Sequence, residues 1–187
     1  ESEAPLLYQE QQLAAMAELL QRRHPGEKLV LVGHSAGGVL GRLFMVRHPD
    51  TPVLALISIA SPHLGTDSAE LGLMAGHSPL RWISGLLGAE TLNRSQGLYF
   101  DLARERPGNL LYWLNRQPHP KAYYVSVVRT GSLPLFGDML VPAESQDMNW
   151  VYALYGRAVR LESGGGHGLD KDDGELLVRI LRRLRTY

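Results

Sequence analysis

Apolar residues recur at helical spacing from Leu6 to Arg23, at Leu6, Leu13, Met16, Ala17 and Leu20, until His24-Pro25-Gly26 breaks the pattern. The spacing predicts a helix ended by a turn. Lys28 to Val32 is a short, nearly continuous apolar run, as expected of a strand covered on both faces of a parallel sheet, and Gly33 closes it. From Ala36 to His48 the small residues Ala36, Gly37, Gly38 and Gly41 accompany Leu40, Leu43, Phe44 and Val46, which predicts a helix packed closely at its start and stopped by Pro49-Asp50. Val53 to Ile59 predicts a second buried strand. This alternation of helix and strand argues for an α/β fold with a mostly parallel sheet and right-handed crossovers.

The rhythm then changes. Between about Gly65 and Pro120, short helical pieces (Ala69 to Ala75, Leu80 to Leu87, Leu110 to Leu114) are separated by Gly, Ser and Pro. Such a stretch is far longer than an ordinary connection and reads as a lid or cap. Ala122 to Val128 resumes the strand pattern, Ala158 to Leu161 gives a weaker strand, and Glu175 to Leu184 predicts an amphipathic closing helix with Arg179, Arg182, Arg183 and Arg185 in solvent. One domain over residues 1–187 follows, with its core in 1–65 and 121–187 and a helical insertion at about 66–120.

Composition narrows the function classes. The 187 residues are 44% hydrophobic, enough for one buried core. Lys plus Arg equals Asp plus Glu at 19 each, so no basic excess invites nucleic acid. The absence of cysteine excludes disulfides, thiolate metal sites and a cysteine nucleophile. No apolar run reaches the roughly 18 residues that span a bilayer. The opening Glu1-Ser2-Glu3 lacks the features of a signal peptide. These readings predict a soluble chain.

The expected strand Leu29–Val32 runs into Gly33-His34-Ser35-Ala36-Gly37 and then into a helix, which is the context in which G-x-S-x-G acts as a nucleophile elbow. Glycine on both sides of the serine suits a strained, tightly packed turn that lifts the hydroxyl over the carboxyl end of the sheet. Ser35 is therefore the candidate nucleophile. The backbone N–H of Ala36, at a helix N-terminus, is a candidate oxyanion donor. A serine hydroxyl needs a base, and His167 is the candidate among seven histidines. It lies in Gly164-Gly165-Gly166-His167-Gly168, between the last strand and the closing helix. His34 and His63 read as residues that shape the site, and His24, His48, His77 and His119 as surface or loop residues. The chain order Ser, acid, His points to Asp138 as the orienting carboxylate, with Asp147 and Glu144 in reserve.

Gly33-His34-Ser35-Ala36-Gly37-Gly38, Ser61-Pro62-His63-Leu64-Gly65-Thr66, Asp138-Met139-Leu140-Val141-Pro142 and Gly166-His167 together resemble the lipase and esterase branch of the α/β-hydrolases. In that branch a Thr-Pro-His-x-Gly stretch follows the strand after the nucleophile helix, and an Asp-Gly-x-Val-Pro stretch carries the acid; here Ser61 and Met139 replace the Thr and the Gly. The resemblance runs from about Gln9 to the C-terminus. It implies a sheet of the α/β-hydrolase type and a serine hydrolase of carboxylic esters acting through an acyl-enzyme without a cofactor. It also implies a secreted or periplasmic lipase, and a structural calcium near Asp170, Asp172 and Asp173, although the same carboxylates suit the first turn of a helix without metal. Leu71, Leu73, Met74, Leu80, Trp82, Ile83, Leu86 and Leu87 make the insertion apolar, which favours a lipid or medium-chain ester substrate; packing of the cap on its own core accounts for them equally well.

Members of that branch carry strands ahead of the first helix, with a loop that donates a second oxyanion N–H. This sequence has none there. The Ser35 strand is then expected at or near a sheet edge, as in a fragment, a nicked enzyme or a chain whose missing strands come from a partner. Loss of one oxyanion donor is worth about 10² to 10³ fold in rate. Two further classes share the motifs: a binding protein of the same fold that has lost turnover, and an acyltransferase or thioesterase using the same three residues.

Overall fold

A computed structural model of the chain describes residues 5–67, 101–131, 138 and 140–185. Its spine is a parallel sheet whose strands lie side by side in chain order: β1 (Leu29–His34), β2 (Val53–Ile59), β3 (Tyr123–Arg129) and β4 (Ala158–Ser163). Val32 sits opposite Ile57, Ile57 opposite Val125, and Val125 opposite Val159. All four carboxyl ends therefore emerge along one edge, where successive connections can bring side chains together.

Alternation along β2 and β3 sends side chains to opposite faces. Leu56 and Tyr124 face a cluster with Phe44, Met45, Met148, Val151 and Leu154. Ala55, Ile57, Ile59, Val125 and Val127 face the other way, against Leu176, Leu177, Ile180, Leu181 and Leu184. The first face is covered by α2 (Ala36–Arg47) with α1 (Pro5–Arg23) over it, and the second by α5 (Lys171–Leu184). Each large side chain so buried contributes about 1.5–3 kcal/mol from removal of apolar area from water.

Three of the boundaries that differ from the sequence pattern have a physical reason or a clear extent. The first strand continues through Gly33 to His34, and Val32 is 48% exposed instead of covered on both faces, because β1 is the outer strand of the sheet among the described residues. The closing helix begins at Lys171, ahead of its apolar stripe. There Asp170 accepts from the N–H groups of Asp172 and Asp173 while the Asp173 side chain accepts from the N–H of Asp170, a reciprocal cap that starts a helix independently of hydrophobic spacing. Strand β4 extends to Ser163, two residues past the apolar run.

Most of the expected lid, including Ala69 to Ala75, Leu80 to Leu87 and His77, lies outside the described residues. In the part that is described, three leucines join the core. Helix α3 (Leu110–Leu114) packs on α1 and α2, with Leu102, Leu111 and Leu114 buried among Leu6, Val39 and Leu43. A short α4 (Ala143–Gln146) and two 3-10 turns, Met148–Trp150 and Tyr152–Leu154, connect β3 to β4.

Candidate active site

Ser35 joins β1 to α2 with φ 54° and ψ −127°, a conformation outside the regions open to most side-chain-bearing residues. Its N–H donates to the carbonyl of Ile59 at 2.9 Å, tying the turn to the end of β2. The neighbouring glycines do different work from one another. A Cβ at Gly33 would collide with the backbone of Gly37 and Gly38, and one at Gly38 with the hydroxyls of Ser58 and Ser61. A Cβ at Gly37 meets nothing within 4 Å among the described residues. The pair that permits the tight elbow is thus Gly33 and Gly38, not the Gly33 and Gly37 of the motif. Ala36 is the first residue of α2, where a backbone N–H has no acceptor within the helix.

Along the carboxyl edge of the sheet, Ser35, His167 and Asp138 form one hydrogen-bonded chain. The Ser35 Oγ lies 3.0 Å from His167 Nε2, and His167 Nδ1 lies 2.7 Å from Asp138 Oδ2. Because the carboxylate can only accept, Nδ1 carries the ring hydrogen, and Nε2 presents a lone pair to the serine hydroxyl. The other carboxylate oxygen, Asp138 Oδ1, accepts from the N–H groups of Leu140 at 3.0 Å and Val141 at 2.7 Å. With its side chain fully buried and three donors aimed at it, this carboxyl is fixed in direction. The reserve carboxylates sit elsewhere: Asp147 caps the turn at Asn149 and pairs with Arg160, and Glu144 is exposed. Met139, Phe136 and Gly137 lie outside the described residues.

His34 stands over the site, its Nε2–H donating to the carbonyl of His167 at 2.6 Å. Burial holds its imidazole below the ordinary histidine range, with the neighbouring His167 and Arg129 acting in the same direction and the bond to the His167 carbonyl opposing. His63 is buried below the elbow, donating through Nε2–H to Ser58 Oγ at 2.7 Å and turning Nδ1 toward Arg42 at 3.4 Å. His119, expected as a surface or loop residue, lies in the loop after α3 but is buried there, and it accepts from Arg42 Nε at 3.2 Å. This bond holds the loop, with Pro118 and Pro120 on either side of His119, against α2. Arg42 completes its shell with Asn115 Oδ1 at 2.7 Å, and burial lowers its pKa to about 9. Two buried arginines, Arg42 and Arg129, escaped the sequence reading. The available signal was a lone cation inside an apolar helix and another at the end of an apolar strand.

Of the carboxylates considered for calcium, Asp170 caps α5 and Asp173 pairs with Arg129, while Asp172 is exposed in the first turn. Among the described residues no group of three or more His, Asp or Glu side chains is arranged to hold a metal ion. No described helix is long and apolar enough to cross a membrane.

A family model described as the alpha/beta hydrolase fold matches residues 1–105. No curated protein sequence matches the chain. Among solved structures it is similar to a monoacylglycerol lipase of Paleococcus ferrophilus, at 18% identity and a TM-score of 0.56, over 96% of this chain and 74% of that one. A thermophilic esterase is similar at 20% identity and a TM-score of 0.54, over 94% and 73%. The RedJ thioesterase from the prodiginine biosynthetic pathway of Streptomyces coelicolor is similar at 18% identity and a TM-score of 0.50, over 91% and 69%. At these identities the likeness is one of fold. Across such structures the chain spans as little as 58% of the solved protein's length.

Proposed function

This chain belongs to the alpha/beta hydrolase fold family, and on that premise we propose that it is a serine hydrolase of carboxylic esters, with Ser35 as nucleophile, His167 as general base and acid, and Asp138 as orienter. The observation that carries the proposal is the unbroken chain from Ser35 Oγ to His167 Nε2, at 3.0 Å, and from His167 Nδ1 to Asp138, at 2.7 Å.

In the first half-reaction Ser35 Oγ bonds to the acyl carbon as its proton passes to His167 Nε2. The carbonyl π pair moves onto oxygen, and the Ala36 N–H stabilises that oxyanion. When the oxyanion collapses, the bond to the leaving alkoxide breaks and the alcohol departs with the proton from Nε2. Water then attacks the acyl-enzyme, giving a proton to His167, and the released carboxylic acid leaves Ser35 Oγ to recover it. Asp138 stays ionised throughout and holds the Nδ1–H tautomer. No cofactor enters this sequence of steps.

The similar structures named above include a lipase, an esterase and a thioesterase. The apolar residues between Leu71 and Leu87 support an acyl or lipid ester. Treatment of wild type, Ser35→Ala and His167→Ala with a fluorophosphonate, read by intact mass, tests the reading. One adduct on wild type and none on either variant is expected, and the ratio of p-nitrophenyl butyrate to laurate turnover then ranks the acyl chains. A folded wild-type chain that takes up no label sinks the proposal in favour of a binding protein of this fold.

A further inference from the structure

His167 sits in a loop with little of its own to hold it still. Four of the five residues from Gly164 to Gly168 are glycine, the residue whose backbone is costliest to order, at about 1–2 kcal/mol each. Around residues 164, 166 and 168 there is open space where a side chain would otherwise pack, among the described residues. Yet catalysis of the proposed kind needs this imidazole placed to within a fraction of an ångström.

The restraint comes from beneath. Arg129, the last residue of β3, is fully buried. Its Nη1 donates to Ser163 Oγ at 2.7 Å and to the carbonyl of Gly164 at 3.0 Å. Its Nη2 donates to the carbonyl of Gly168 at 3.0 Å and to the Asp173 carboxylate. One planar guanidinium therefore grips both ends of the loop and moors them to the first turn of α5. From the opposite side, His34 holds the carbonyl of His167 itself. A buried ion pair is a poor source of stability, since apolar residues of equal volume commonly serve as well. The directed fork of donors is what an apolar replacement, or the point charge of lysine, lacks.

We propose that Arg129 is the positioning residue of the His167 loop, clamping Gly164 and Gly168 so that the imidazole meets both Ser35 and Asp138. The proposal rests on the serine-hydrolase reading, and the experiment separates the two. Arg129→Lys and Arg129→Met are compared with wild type well below each protein's thermal midpoint. Three quantities are read: the rate of fluorophosphonate capture at Ser35, kcat and KM on p-nitrophenyl butyrate, and the low-field proton resonance of the His167 Nδ1–H.

The clamp predicts that Arg129→Met loses about 10- to 100-fold in capture rate and kcat, with KM within about twofold and the low-field resonance broadened or lost. Arg129→Lys falls between, because an ammonium keeps the charge for Asp173 but cannot span both carbonyls. A merely structural Arg129 lowers the thermal midpoint and leaves capture, kcat and the resonance of the folded variants at wild-type values; that outcome overturns the clamp. Should Arg129→Met fail to fold, Arg129→Lys in the same assays decides the question alone. A folded wild type that is not captured at Ser35 refutes the hydrolase reading instead.

Discussion

Lowering the pH from 8 to 5 should cost this fold about 2 kcal/mol through His119 alone. The ring is held neutral from both sides: Nδ1–H donates to the carbonyl of Gln117 at 2.8 Å, and the Nε2 lone pair accepts from Arg42 Nε at 3.2 Å. A proton on Nε2 would confront the N–H of a buried guanidinium. Burial, reinforced by the charges of Arg42 and Arg157 and opposed by the Gln117 bond, lowers its pKa from 6.5 to about 3. The unfolded chain takes up a proton near pH 6.5 and the folded one only near pH 3. Between those values the unfolded state binds more protons, so stability rises with pH and is lost as pH falls. At pH 5, about 1.5 units below the ordinary value, the loss is about 1.5 times 1.36, or about 2 kcal/mol. His63, whose pKa burial and Arg42 also lower, adds in the same direction. Urea unfolding of wild type and His119→Gln at pH 5, 6, 7 and 8 isolates the effect, since glutamine can still accept from Arg42 but does not titrate, and His63 is common to both. The wild-type stability should drop by about 2 kcal/mol more than that of the variant across this range, equivalent to about 4–8 °C in thermal midpoint. Parallel curves for the two proteins would falsify the account of His119 as a ring held neutral by its burial beside Arg42.

The elbow makes a contrasting pair. Gly33→Ala should destabilise the fold by about 1–3 kcal/mol or more and abolish fluorophosphonate capture, because its Cβ collides with backbone; Gly37→Ala should leave stability within about 1 kcal/mol of wild type by urea unfolding. Equal losses in the two variants would contradict the assignment of the tight contact. Asp138→Asn, which lets His167 adopt the wrong tautomer, should lower kcat by about 10⁴-fold with folding intact by circular dichroism, whereas a loss of less than tenfold would show that another group orients the ring. Asp170→Ala, which removes the cap of α5, should cost about 1 kcal/mol and lower the thermal midpoint by about 2–4 °C in calorimetry.

Much of this molecule was legible in one dimension because its signals are local. The run Val53 to Ile59 coincides with β2, and Leu110 to Leu114 with α3, since burial and period act over a few residues. Ser35 announced itself by the glycines around a strand-to-helix turn, and Asp138 and His167 by their order and by the glycine loop. Sequence could name these three residues individually. It could not give the hydrogen bonds that join them, because the 132 positions from Ser35 to His167 are closed only when the carboxyl ends of β1 and β4 line up along one edge.

What tertiary structure alone decided is where polar groups are buried. The charge states of Arg42, His63 and His119 cannot be read along the chain; they follow from a shared, desolvated cluster assembled from α2, the turn after β2 and the segment after α3. Likewise the sheet position of β1, and hence the exposure of Val32, depends on which strands neighbour it and not on its own apolar run. Hydrophobic period and turn chemistry are properties of neighbouring residues and can be read along the chain. Desolvation, register and hydrogen-bond partnership are properties of distant residues in contact, and they exist only once the chain has folded.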